Sequence, residues 1–254
     1  MHLAHESTHK ERLALAEELF SKLMHEKQDT ILAVGLYGSM AKHTDHAFSD
    51  IEFDVIPKKD GVNYSVSEIF KGIKYELCYI SKDILLENIR NPGNIYWPEI
   101  ISASLTAKPF YDPTGVFDEL RNEYERIIQT DFKPFYKQLF VEGIYETMCK
   151  FIKAAQHDDA SAVRFYAYHY LFDELICFIA ILNKTYIINA ATRGKDSLNM
   201  PINFDSYKVF AKLLLEGNIK DVNVLIGSAL EVFKDLEMHI KSEGIDTESQ
   251  ELII

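Results

Sequence analysis

Ten residues separate Gly38-Ser39 from Asp50-Ile51-Glu52 in the stretch ILAVGLYGSMAKHTDHAFSDIEFDVI, with an apolar strand on either side of the gap. The first strand, Ile31 to Tyr37, runs into a turn of small residues, and the second opens on two carboxylates at spacing two. Alternate residues of a strand leave from the same face, so Asp50 and Glu52 project together and Asp54 continues their row. Phe53 and Val55 take the opposite face and read as core. Carboxylates this dense on one short strand repel each other unless a cation sits between them. That constraint marks the strand end as a place for a positive group.

Paired carboxylate oxygens are hard ligands and suit Mg2+, which takes one or two protein carboxylates and fills its shell with water and substrate phosphates. Upstream, Gly38 and Ser39 offer backbone N–H groups, a hydroxyl and the start of a short helix, all suited to holding phosphates. Metal carboxylates facing a phosphate cradle imply nucleotidyl transfer. The plainer reading is a Gly-Ser pair met by chance and an acidic, solvated strand face. The third acidic residue at 54 weighs against it.

A chain of 254 residues holds one large or two modest domains. Its net charge of −12 argues against a nucleic-acid surface, which leaves a basic footprint, and fits a small cationic substrate drawn to an acidic cleft. The opening MHLAHESTHKER has no apolar core and does not read as a secretory signal. Leu175 to Leu182, the longest apolar run, falls well short of the ~20 residues that span a bilayer. Cys78, Cys149 and Cys177 are odd in number and widely spaced, as expected of free thiols in the cytosol. His2, His5 and His9 stand at near-helical spacing, which reads as an exposed N-terminus rather than a metal site.

The periodicity predicts an amphipathic helix over 7–27, strands over 30–38, 50–56 and 75–80, and a helix after an N-capping Ser81. A short helix over 97–104 and a short strand at Phe110-Tyr111 follow. Beyond Val116 the pattern is helical. Phe135, Leu139, Ile144, Met148, Ile152 and Ala155 form one apolar stripe, and Ala162 to Leu182 is apolar nearly all round, as in a helix buried in a bundle. Two more helices cover about 204–216 and 220–241, and Arg193-Gly194-Lys195 reads as a loop. The expected fold is α+β: a domain with a small sheet over residues 1–125, then a helical bundle over 126–254.

The segment VGLYGSMAKHTDHAFSDIE resembles the GS…DxE signature of the polymerase-beta-like nucleotidyltransferases, and more narrowly the kanamycin nucleotidyltransferase family of aminoglycoside 4'-O-adenylyltransferases. The likeness extends through Lys74-Tyr75-Glu76, Ile80 to Leu86, Phe110-Tyr111-Asp112 and Val141-Glu142…Glu146…Lys150, over most of the chain. The resemblance implies a small mixed sheet followed by a helical bundle, and transfer of AMP from ATP to an antibiotic hydroxyl with release of pyrophosphate. It implies Asp50 and Glu52 as Mg2+ ligands, and Gly38, Ser39, Lys42 and Ser49 around the phosphates. Glu76 would lie beside the acceptor hydroxyl, Glu146 would be the general base, and Lys150 would approach the reacting phosphate. A homodimer with active sites shared between subunits is implied as well.

Glu146 and Lys150 also read as an ordinary exposed i,i+4 ion pair, in its favourable orientation. Three departures from the family concern the ligands. Position 42 is Lys rather than Arg, which keeps the charge and loses the bidentate fork. Val62, Ser67, Tyr96 and Gly143 stand where acceptor-binding carboxylates are expected. Tyr96, Trp97 and Phe110 would line a more apolar pocket, suited to an acceptor such as a lincosamide, or else belong to the core. Two alternatives to an aminoglycoside enzyme therefore stand: the same chemistry on a lincosamide, and a non-catalytic antitoxin-type partner with the same fold.

Overall fold

The computed structural model describes residues 6–217, 219 and 221–248; His2, His5 and the last six residues of the tail lie outside these. The described residues divide into two compact units, one made of the chain up to Asn91 with Ile100–Gln129, the other of Pro92–Glu99 with the chain from Thr130.

In the first unit, α1 (His9–Lys27) begins where Thr8 and Glu11 exchange side-chain and backbone hydrogen bonds in a capping box. It leads into β1 (Ile31–Tyr37), the single-turn α2 (Gly38–Ala41), β2 (Ile51–Pro57), β3 (Asn63–Phe70) and β4 (Ile73–Ile80). Then come α3 (Lys82–Arg90), α4 (Trp97–Ile100), α5 (Ser102–Thr106), β5 (Lys108–Tyr111) and α6 (Val116–Ile128), with α4 straddling the two units. The five strands form one sheet in the order β3-β4-β2-β1-β5. Only β2 and β4 run parallel, so the sheet is mixed and the α+β expectation holds.

One face packs Val34, Leu36, Ile51, Phe53 and Val55 with Leu15, Ala16 and Leu23 of α1. The other carries the acidic row, at a depth that varies along β2. Gly35 of β1, paired with Asp54, lets the ring of Phe117 of α6 press onto the strand; a Cβ there would stand 2.5 Å from the ring. Asp54 is consequently buried, Glu52 half-buried, and Asp50, just before the strand, more open.

β3 has no counterpart among the strands read from the sequence. It is the sheet's edge, exposed along all eight residues, and joins β4 through Lys71-Gly72, both left-handed (φ 50° and 79°) as a tight hairpin turn requires. Ser81 stands at the N-cap of α3 as expected, but its hydroxyl accepts a bond from the Val62 N–H instead of capping the helix.

In the second unit, α7 (Lys133–Leu139) and α8 (Glu146–Gln156) are one helix broken by a π-turn over Phe140–Tyr145. α9 (Ala160–Tyr166) and α10 (Phe172–Leu182) are joined in the same way by a π-turn over Ala167–Leu171. The short α11 (Arg193–Ser197), α12 (Asp205–Glu216) and α13 (Val222–Ser242) complete it. Each π-turn inserts a residue, so the helix face shifts across it. Leu139, Ile144 and Met148 are buried as expected; further on, Phe151 and Ala154 face the core while Ile152 and Ala155 are only half-buried. α10 is buried almost all round, but the segment before it is not: Phe165 of α9 and Tyr170 of the π-turn are exposed. The helix Ala160–Leu182 is long and apolar enough to cross a membrane by composition, with a mean hydropathy of 1.4, yet 67% of that window is buried within the protein. Arg193-Gly194-Lys195 opens α11 rather than forming a loop.

Candidate active site

Parallel pairing of β2 with β4 sets Glu52 directly beside Glu76 and Ile51 beside Tyr75. On the same face, Lys74 Nζ donates to Asp50 Oδ2 at 2.8 Å and lies 3.7 Å from Glu76 Oε2. Asp50, Glu52 and Glu76 thus share one patch, with a lysine ammonium between two of them. Nothing in the periodicity singles out Lys74; its place follows from the register of two strands far apart in sequence.

Gly38 sits against the same patch. It adopts φ +71°, and a Cβ built there would lie 1.8 Å from Glu52 Oε2. The turn therefore needs glycine twice over: for its left-handed backbone, and because the Glu52 carboxylate occupies the space of a side chain. The carboxylate row and the Gly-Ser turn meet at this contact.

The electrostatics show a deficit of positive charge. Burial first, then the charges of Asp50 and Glu76, push the Glu52 carboxyl up to about 7, with Lys74 and Lys42 opposing. Burial and the charge of Glu52 likewise push Asp54 up to about 7. Asp54 Oδ2 is buried with no hydrogen-bond partner, and Tyr37, paired with Glu52 across β1, is held in its neutral form by burial and by Asp54. Among the described residues no three His, Cys, Asp or Glu side chains gather closely enough to enclose a metal. The donor set is two strand-end carboxylates flanked by a third. That fits a hard divalent cation completed by water and phosphate oxygens, and Lys74 already stands where such charge is needed.

The segment from Lys42 to Ser49 is stitched to the start of α1. Arg12, 1% exposed, donates through Nε and Nη2 to Asp45 Oδ2 and through Nη1 to Ser7. His9 Nδ1 reaches Asp45 Oδ1 at 2.8 Å. Against the cost of burial, these partners hold the Asp45 carboxyl below its ordinary range. Ser39 is half-buried, and its carbonyl accepts from Thr44 N–H at 3.0 Å. Lys42 is also half-buried; burial lowers its pKa while Glu52 raises it. Ser49 Oγ accepts from His46 N–H at 2.9 Å, so that hydroxyl closes the turn and keeps its proton free to donate.

Glu146 and Lys150 lie in the second unit, joined at 2.7 Å on an exposed face of α8. This is the simple ion pair that their spacing allows. Glu174, which the sequence did not single out, is nearby: Thr147, the residue after Glu146, donates to Glu174 Oε1 at 3.0 Å.

Residues 114–246, just over half of the chain, match the KNTase C-terminal domain. The chain belongs to that family. Membership agrees with the resemblance carried by Val141 to Lys150, which lie within the matched residues. Among curated relatives, the aminoglycoside nucleotidyltransferase (4') of Staphylococcus aureus and its namesake from Bacillus sp are each 24% identical over 139 residues, 55% of this chain and 54% of theirs. The chain therefore spans about half the length of the curated relatives it matches. A nucleotidyltransferase-like protein from Exiguobacterium sibiricum 255-15 shares the fold, with a TM-score of 0.53 and 10% identity, over 90% of this chain and 75% of that one.

Within this KNTase-family chain, the positions that depart from the family are now placed. Ser67 lies on the exposed edge strand, paired with Glu76. Gly143 is buried in the first π-turn, where a Cβ would meet Ile95 at 3.4 Å, an ordinary contact. Of the three aromatics that the sequence assigns either to a pocket or to the core, Tyr96 and Trp97 fall in one unit and Phe110 in the other. Trp97 is buried edge-on against Phe132, and Phe110 packs against Phe20 and Phe53 beneath the sheet. Trp97 is a core residue of its unit, whereas Phe110 is half-buried against the core of the other. Tyr96 is the most exposed of the three.

Proposed function

We propose that this protein is a nucleotidyltransferase that moves AMP from ATP to a hydroxyl of an aminoglycoside, with Mg2+ as the metal. The observation that carries the reading is the contact of the Glu52 carboxylate with the Gly38 turn, beside Asp50 and Glu76. Asp50 and Glu52 hold the metal, which supplies charge neutralisation on the triphosphate oxygens. Gly38, Ser39, Lys42 and Ser49 hold the phosphates, and Glu76 lies beside the acceptor hydroxyl. Glu146 accepts the hydroxyl proton as the acceptor oxygen bonds to the α-phosphorus and the bond to pyrophosphate breaks. Lys150 approaches the phosphoryl group and offsets its growing charge. The two domains, 1–125 and 126–254, work in a cytosolic homodimer whose subunits share their active sites, and antibiotic resistance is the role such chemistry serves.

Burial of Trp97 weakens the argument for a lincosamide acceptor, and an acidic row that costs stability speaks against a non-catalytic partner. The test is pyrophosphate release with ATP and Mg2+ across a panel of aminoglycosides and lincosamides. Release with an aminoglycoside, abolished by Asp50→Asn, is expected. Release with lincosamides alone would replace the acceptor, and release with none would end the transferase reading.

A further inference from the structure

The second unit contains a carboxylate that the proposed chemistry does not use. Glu174, 7% exposed, opens α10 directly after the π-turn over Ala167–Leu171. Its Oε1 accepts the Thr147 hydroxyl, while Oε2 is buried with no hydrogen-bond partner. A buried carboxylate oxygen without a partner forfeits its hydration for nothing in return, and the few such groups in a native protein call for an explanation.

Its acidic neighbours are all paired. Glu146 holds Lys150 at 2.7 Å, while Asp173, the residue before Glu174, shares Arg193 with Glu99. Among these carboxylates Glu174 alone keeps an oxygen unsatisfied. Both helices that meet here carry π-turns, one ending just before Glu146 and the other three residues before Glu174. Such insertions cost regular helix geometry and concentrate at functional sites.

A compact positive donor would satisfy that oxygen. The triphosphate is anionic and cannot serve. A metal would need further ligands, and no cluster able to enclose one occurs among the described residues. A primary ammonium brings a point charge and three donors on a narrow stem; a tertiary ammonium has a single donor. We propose that Glu174 is a specificity-determining residue that receives a primary ammonium group of the acceptor, within the site that also contains Glu146. The inference rests on the transferase reading for the word acceptor, and its test is a binding measurement that needs no turnover.

Calorimetric titration of the full chain with kanamycin compares wild type, Glu174→Gln and Glu231→Gln. The last removes one exposed charge on α13 and controls for general attraction of a polycation to a protein of net charge −12. Glu174→Gln is expected to weaken kanamycin at least tenfold, with Glu231→Gln unchanged and Mg2+–ATP affinity the same in all three. Kanamycin acetylated on all its amines should lose affinity for the wild type and show no difference between the proteins. Glu174→Met, which fills the same space, gives the same loss and covers the case of an amide variant that fails to fold. Equal affinity of wild type and both Glu174 variants, or no binding of kanamycin to the wild type, overturns the proposal. Binding that depends on Glu174 without AMP transfer would sink the transferase reading and leave this one standing.

Discussion

Replacing Gly38 with alanine separates backbone strain from ligand geometry in a single variant. The residue holds φ +71°, and a left-handed non-glycine residue costs about 1–2 kcal/mol. The new methyl would stand 1.8 Å from Glu52 Oε2, whereas real Cβ contacts keep at least 3.0 Å, so the carboxylate must move by more than an ångström. The atom it strikes is the free end of a side chain, so the movement adds little to the loss of stability. For a metal ligand it is decisive, because ligand distances tolerate only about 0.2 Å. Melting followed by fluorescence should show a drop of roughly 2–8 °C, from ~2–4 °C per kcal/mol in a chain of this size. Titration with Mg2+–ATP should show at least about a tenfold loss of affinity, and transfer should fall about a hundredfold or more, as for loss of one electrostatic contact to the transition state. Unchanged Mg2+–ATP binding in a folded Gly38→Ala protein would refute the geometry from which the metal site is argued. A collapse of the fold would refute the claim that only the Glu52 side chain yields.

Asp50→Asn and Glu52→Gln are expected to cut transfer by about two to three orders of magnitude while both proteins stay folded; near-normal transfer in either removes it from the metal site. Stability without metal should fall as pH rises from about 4 to 7. Glu52 and Asp54 keep their protons to about 7 in the fold but lose them near 4 when unfolded, so the native state binds more protons across that window. The difference in unfolding free energy between wild type and either single variant, Glu52→Gln or Asp54→Asn, should therefore open to on the order of 3 kcal/mol by neutral pH, and a flat difference curve contradicts the assigned cause. Adding Mg2+–ATP should narrow the gap, because a bound cation relieves the repulsion. Glu146→Gln, on an exposed helix face, should leave the melting temperature in place and lower kcat with the acid limb of its pH profile; an unaltered kcat would return Glu146 to the role of a surface ion pair.

Several elements were legible because their signal is local. The capped α1, the apolar β1 and β2, and the helices after Val116 each advertise a period within a few turns of chain. β3 escaped because an exposed edge strand buries neither face and shows no apolar alternation strong enough to read, although Lys71-Gly72 marks its hairpin turn. The first π-turn did leave a trace: the step of five from Leu139 to Ile144 breaks the run of threes and fours in the apolar stripe. Trp97 and Phe110 were ambiguous in the sequence because an aromatic beside a motif looks the same whether it lines a pocket or fills a core.

Spacing along one strand sufficed to put Asp50 and Glu52 on one face, since the two-residue repeat of a β-strand is a property of the backbone itself. The chain's own order also fixed Gly38-Ser39 as the bend before them. Only the tertiary structure could bring Glu76 and Lys74 to that face, press Glu52 onto Gly38, and bury Asp54. Those contacts join residues far apart in the chain through strand register and helix packing. Both depend on how distant surfaces fit together, and no short window of sequence contains that information.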